Sequence, residues 1–181
     1  MNIIEIDKAK YRHRLNRVIV GFIAILAILS IIFGSVLIAI FAEQSIAVST
    51  VLSENEPSSN FKYNFIGVIF ALLACAALLN RLKTQTYFYE IYYVWRLKQL
   101  HNLIYRKLTK IKSAAFDAND IDAMIVLNFY YKSLKQVYLL DDNTLTISKV
   151  NNEEQKLVEL LTNKNIIITT EQFSKEMLSS F

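Results

Sequence analysis

Histidine, cysteine and clustered carboxylates are the side chains that most often bind metals, move protons or attack as nucleophiles, and this chain uses them sparingly. His13 and His101 are the only histidines. Neither has a ligand-type residue three or four positions on, the spacing that stacks two metal ligands on one helical face. Cys75 is the single cysteine, which excludes an intrachain disulfide and a thiolate cluster. Nothing near it in sequence would activate the thiol, so it reads as an inert small residue. Asp117, Asp120 and Asp122 gather three carboxylates in SAAFDANDIDA. That stretch lacks the glycine of a calcium loop, and its spacing suits a turn with Asp117 and Asp120 as candidate helix N-caps. No Gly-rich phosphate loop, H-E-x-x-H, C-x-x-C or G-x-S-x-G is present. The expectation is therefore a non-enzyme with no catalytic residue, no cofactor and no metal ligand.

The elements that would have to position chemistry are of an unusual kind. Hydrophobic residues make up 54% of the 181 residues and charged ones 20%, with a mean hydropathy of +0.30. Soluble domains sit nearer 25% charged. The three glycines, Gly21, Gly34 and Gly67, all fall within two apolar runs, and Pro57 is the lone proline. A glycine-free remainder favours helix throughout.

Val18 to Ala42 is a run of 25 uncharged residues, about 37 Å of helix and enough to cross a hydrocarbon core of ~30 Å with some tilt. Tyr63 to Asn80 adds 18 more, roughly 27 Å. The first run exceeds the ~7–15 residues of a signal-peptide core and is not closed by an A-x-A pattern, so it reads as a retained span. The expected organisation is a basic N-terminal segment at 1–17, a first transmembrane helix at 18–42, a short outer loop at 43–62, a second span at 63–80 and a helical domain at 81–181. Lys8, Lys10, Arg12, Arg14 and Arg17 precede the first span, and eight basic residues lie in 81–112, whereas 43–62 holds Lys62 alone against Glu43, Glu54 and Glu56. By the positive-inside rule both termini are cytoplasmic. Ala27, Ser30 and Gly34 in the first span and Gly67, Ala71 and Cys75 in the second would let the two backbones pack closely. Neither run contains Asp, Glu, Lys, Arg or His, which argues against a pump or carrier. Ser30, Asn64 and Asn80 are the only candidates to line a pore.

Beyond the second span, 85–112 reads as one helix, its continuity with that span left open by the sequence. Tyr93, Leu97, Leu100, Ile104, Leu108 and Ile111 form its inward stripe, and His101 sits at the flank of that stripe. Phe88, Ile91, Tyr92 and Trp95 lie opposite, so Tyr87 to Trp95 is apolar all round. It belongs either to the headgroup zone or, on balance, to the upper core of the domain; a ligand site is the sharper, less favoured reading. A second helix follows from about Ile121 to Leu140, its Met124, Leu127, Tyr131, Leu134 and Tyr138 spaced as a coiled-coil seam, and completes an α-helical hairpin. A third covers Leu145 to Thr162, with Ile147, Val150, Leu157 and Leu161 inward and Asn151-Asn152 as a possible interruption. Ile166 to Ile168 is a strand-like tether. Thr169 with Gln172 forms a capping box for a last helix carrying Phe173, Met177 and Phe181 on one face. Residues 81–112 carry a single acid, Glu90, while 113–181 carry six basic and ten acidic residues. The basic half suits anionic lipid headgroups, each Lys or Arg contributing ~1 kcal/mol near such a surface. That accounts for the charge without nucleic acid as a partner.

IDKAKYRHRLNRVIV near the start and YYVWRLKQLHNLIYRKLTKIKSAA after the second run resemble a gammaproteobacterial family of small two-span inner-membrane proteins that carries a domain of unknown function. The resemblance covers roughly residues 6–116. It implies a bacterial inner-membrane location and assigns no site residues. The expectation is thus an all-α membrane protein, a two-span transmembrane hairpin bearing a cytoplasmic helical bundle. Its partners are the lipid bilayer and either a second copy of the chain or another protein, and its role is interaction or scaffolding. The alternative is a subunit of a small homo-oligomeric channel.

Overall fold

The computed structural model describes residues 2–49, 60–143 and 145–181. Among the described residues every regular element is helical: α1 (Lys8–Ser49), α2 (Phe61–Leu82), α3 (Tyr89–Phe116), α4 (Ile121–Leu140) and α5 (Ile147–Asn163), with 3₁₀ turns at Thr86–Phe88, Thr170–Gln172 and Lys175–Ser180. With no glycine after Gly67, the reversals fall to short polar side chains. Asn119, Asp142 and Asn165 follow α3, α4 and α5 with φ of 57°, 57° and 53°, the left-handed conformation that Asn and Asp tolerate best. The Ile166 N–H then closes back on the Leu161 carbonyl at 2.9 Å, ending α5.

The chain divides into two compact units, one made of residues 2–12 with Glu90–Phe181 and one of His13–Tyr89. In the second, α1 and α2 pair. Both are long and apolar enough to cross a membrane, with mean hydropathies of 3.0 and 2.2 over their most apolar stretches, of which only 6% and 17% is buried. Their bounds exceed the uncharged runs, since α1 already begins at Lys8 and α2 covers Phe61–Leu82. Of the expected loop at 43–62, residues 43–49 continue α1, and 50–59 lie outside the described residues.

The small-residue face accounts for the pairing. Gly34, Gly67, Ala71 and Cys75 are buried and Ser30 is half-buried. A Cβ on Gly67 would lie 2.6 Å from the Gly34 nitrogen, so two backbones touch where only glycine fits. Ala27 does not join them. It is exposed, and Leu26 turns inward in its place. Of the three candidate pore-lining residues, Ser30 Oγ bonds the Leu26 carbonyl within α1 at 2.7 Å, Asn80 accepts from the Lys83 ammonium at 2.6 Å, and both Asn64 and Asn80 are exposed.

α3 is not continuous with α2, because the chain turns after Leu82 and re-enters helix through the Thr86–Phe88 turn. In its own unit, α3 runs antiparallel to α4, which brings Lys98 to Asp141 at 2.6 Å and His101 to Ser133. α5 returns along α4 through Lys135–Glu154 at 2.7 Å and ties to α3 through Lys112–Glu153. α5 passes through Asn151-Asn152 without interruption.

α4 departs from the expected seam. Every residue from Ala123 to Tyr131 is buried, while Leu134 and Tyr138 are only half-buried. A continuous apolar stretch, AMIVLNFYY, has no wet face and must be covered on all sides. α3, α5 and the C-terminal tail provide that cover. The tail forms no α-helix. Thr169 and Gln172 make the expected capping box, but it opens a single 3₁₀ turn, followed by a second 3₁₀ segment. Phe173 stacks on Phe129 at 4.1 Å and 11°, so the tail does close the hairpin. Ile166 and Ile168 are half-buried and Ile167 is exposed, an extended tether as expected.

Residues 2–12 also belong to this unit, held at the end of α3 and α4. The Ile4 N–H donates to the Tyr93 hydroxyl at 3.2 Å, and Gln136 Nε2 donates to the Ile4 carbonyl at 2.5 Å. Lys8 and Arg12 pair with Asp142, and Lys10 with Glu90 at 3.4 Å. Tyr11 is 2% exposed, and burial, with Asp141 nearby, pushes its hydroxyl up to about 12.

Candidate interaction site

The inward stripe of α3 decides which residues face out. Tyr93, Leu97, Leu100, Ile104 and Ile111 are buried, which leaves Tyr92, Trp95, Arg96, Gln99, Leu103 and Arg106 on the opposite side at helical spacing. The tail runs beside that face, fixed by the Phe173–Phe129 stack and by Lys107 Nζ on the Leu178 carbonyl at 2.6 Å. Between tail and helix lies an open groove of about 570 Å³ walled by Tyr92, Trp95, Arg96, Leu103, Phe173 and Lys175. A second depression of about 280 Å³ adds Arg106 and shares Leu103 and Lys175 with the first.

The groove combines apolar surface with charge of both signs, Arg96 and Lys175 beside Glu176. The Tyr92 and Trp95 rings stack at 5.7 Å and 16°, and the Arg96 guanidinium lies 5.9 Å over Tyr92. Trp95 is 54% exposed. The leaning toward a fully buried aromatic cluster is therefore corrected: Tyr93 and Val94 enter the core, while Tyr89 and Trp95 stand on the surface. The acidic half neutralises only part of the basic half. Lys98 and Lys112 find carboxylates, but no ion pair is formed by Arg96, Arg106 or Lys175 among the described residues. Such a surface can hold an aromatic or aliphatic side chain flanked by carboxylates.

His101 is not a helix-flank residue. It is 7% exposed, with Nε2 2.7 Å from Ser133 Oγ and its ring edge-on to Tyr130 at 5.6 Å. Ser133 donates its one proton to the Tyr130 carbonyl at 3.2 Å, so Nε2 of a neutral His101 is the donor to Ser133. Burial first, and the Lys98 charge second, lower the histidine to about 4. A serine–histidine pair sealed in the core has no access to a substrate. Asn128 Nδ2 and the Tyr131 hydroxyl are buried there without hydrogen-bond partners, and burial pushes the Tyr131 hydroxyl up. Of the two candidate N-caps only Asp120 caps α4, accepting from the Ala123 N–H at 3.0 Å, whereas Asp117 follows the end of α3 and accepts from the Ser113 hydroxyl at 2.8 Å.

Sequence spacing already put Tyr92 and Trp95 opposite the core stripe. It gave no signal that Phe173 and Lys175 would build the other wall, because that depends on how the tail packs.

Over residues 1–178 the chain matches the model of DUF3087, described as a protein of unknown function. The chain belongs to that family. The DUF3087 match takes in both apolar helices and all but the last three residues of the helical unit, extending the likeness well past the 6–116 region that sequence texture suggested. No curated protein and no solved structure matches the chain.

Proposed function

We propose that this DUF3087 member is a two-span protein of the bacterial inner membrane, with both termini cytoplasmic, and that it is a non-enzymatic interaction or scaffold protein. In this reading the groove on α3 docks a protein partner through an acidic segment bearing an aromatic or aliphatic anchor. One observation carries it: residues 2–12 and Glu90–Phe181 fold as a single unit, while the two helices that lead out of it and back bare their apolar side chains. Val20, Ile23, Ile28 and Ile31 are each more than half exposed, and leaving such side chains in water forgoes roughly 1.5–3 kcal/mol apiece. A unit assembled from both sides of two apolar helices fits an even number of crossings. The Lys/Arg distribution supports the cytoplasmic side, and the sealed His101–Ser133 pair supports a role other than catalysis.

Photocrosslinking in cells from an unnatural side chain at Leu103 tests the docking groove. The expected result is a discrete adduct that disappears when Arg96→Glu and Lys175→Glu reverse the groove's charge. A strictly monomeric protein with no adduct, or an adduct insensitive to that reversal, overturns it.

A further inference from the structure

We infer that the α1–α2 pair holds one anionic phospholipid, an acyl chain lying in a cleft between the helices and the phosphate at Arg17. The inference rests on the membrane reading and adds a defined lipid site to it. The two helices touch backbone to backbone at Gly34 and Gly67, yet a Cβ on Gly21 would meet nothing within 4 Å. The pair is therefore tight at one level and open at another. The opening is a cleft of about 230 Å³ walled by Val18, Gly21, Phe22, Ile25, Leu78 and Leu82.

Nothing on those walls offers a hydrogen bond, so the occupant is hydrocarbon. An empty apolar cleft forfeits dispersion contacts along its whole lining, and a helix about 10 Å across is too wide to enter it; a single chain of methylenes is not. At the rim are Arg17 and Tyr87, with the Arg14 guanidinium 5.2 Å over the Tyr87 ring. Between His13 and Tyr89 the sequence holds Glu43, Glu54 and Glu56 as its only acids, all in or beside the expected outer loop. Arg17 forms no ion pair among the described residues, so its charge is open to a phosphate. An anionic headgroup attached to a hydrocarbon tail satisfies both demands at once.

The test uses full-length protein reconstituted in nanodiscs containing equal amounts of phosphatidylglycerol and phosphatidylcholine with identical acyl chains, then released for native mass spectrometry. One phosphatidylglycerol per chain is expected to stay bound, at least tenfold in excess over phosphatidylcholine. Gly21→Leu starts from a Cβ that meets nothing within 4 Å, so its side chain grows into the cleft, and it is expected to abolish retention of both lipids. Arg17→Gln is expected to erase the preference for phosphatidylglycerol while leaving a weaker, headgroup-blind association. Equal retention of the two lipids by the unaltered protein, full retention by Gly21→Leu, or a dimer that carries no lipid would each overturn the inference. Alkaline carbonate extraction of the same protein from cells reads the membrane reading separately. A chain that resists extraction yet fails the lipid test removes the site alone.

Discussion

His101 sits where its charge is opposed from every side: Ser133 and Tyr130 wall it off from water, and Lys98 adds a like charge. Its folded value of about 4 lies below the ordinary 6.5, so the sign of the pH effect follows directly. Above about 6.5 both folded and unfolded chains carry a neutral imidazole and the term vanishes. As pH falls from there toward 4, the unfolded chain takes up a proton that the folded one refuses. Stability declines through that window, by about 3 kcal/mol at its lower end. Glu153, pulled down by hydrogen bonds from Lys112 and Lys156, begins to lose its contribution as pH falls through the ordinary carboxylate value of 4.5 and goes on losing it below, so the two effects overlap only at the acid end of the histidine window. Thermal unfolding of full-length protein in mild detergent between pH 7 and about 5.5 reads the histidine before the carboxylates titrate. Replacing both partners, His101→Leu with Ser133→Ala, leaves no orphaned polar group and should flatten the profile with little change at pH 7. Trp95 offers a second residue-scale readout because it is the only tryptophan. Standing half out of the groove, it should emit at long wavelength and be quenched by acrylamide. A blue-shifted, unquenched spectrum from the isolated protein would mean the groove is closed.

Between helices, the geometry turns two glycines into opposite experiments. Gly67→Ala drives a methyl group against the Gly34 backbone, which cannot rotate away as a side chain could. The helices must separate, at a cost of about 1–3 kcal/mol. Gly21→Ala meets open space and replaces the poorer helix former, so it should be neutral or stabilising by up to about 1 kcal/mol. Melting temperatures of the two variants in the same detergent should therefore move in opposite directions. That contrast also marks how far sequence alone reaches. Gly67, Ala71 and Cys75 at four-residue spacing announce a close-packed face, and the 3-4 stripe of α3 announces its inward side. The surroundings of α4 are less legible. Met124, Leu127 and Tyr131 fit a seam, but so do their neighbours fit a helix enclosed all round, and only the tail's packing of Phe173 on Phe129 decides between them. His101 was misjudged for the same reason. Period and propensity report which way a residue points, not what arrives from a distant part of the chain to cover it. The tail's capping box was readable to the residue, yet the helix it starts gives way to 3₁₀ turns because Phe173 and Leu178 dock where a regular α-helix would carry them apart.

At the scale of the whole molecule, the decisive feature is that residues 2–12 and Glu90–Phe181 are one folding unit although 77 residues of His13–Tyr89 intervene. A chain that crossed the membrane an odd number of times between those parts could not assemble it. The contact is specific enough to probe. Ile4 is bonded through both its N–H and its carbonyl to Tyr93 and Gln136, and Lys8 and Arg12 converge on Asp142. Ile4→Cys and Gln136→Cys, introduced together, should therefore be joined by a short bismaleimide in intact membranes, giving an intramolecular product that migrates faster under denaturing electrophoresis. Cys75 is buried and should not compete. Asp142→Ala removes the shared carboxylate of two half-exposed ion pairs, each worth little alone, so it should lower the crosslinking yield without abolishing it. A partial loss is what a segment held mainly by backbone hydrogen bonds and by the buried Tyr11 ring would show. Complete absence of the product, with both cysteines labelled separately by a membrane-permeant maleimide, would place the N-terminal segment away from the helical unit. The two-crossing topology would then lose its structural support.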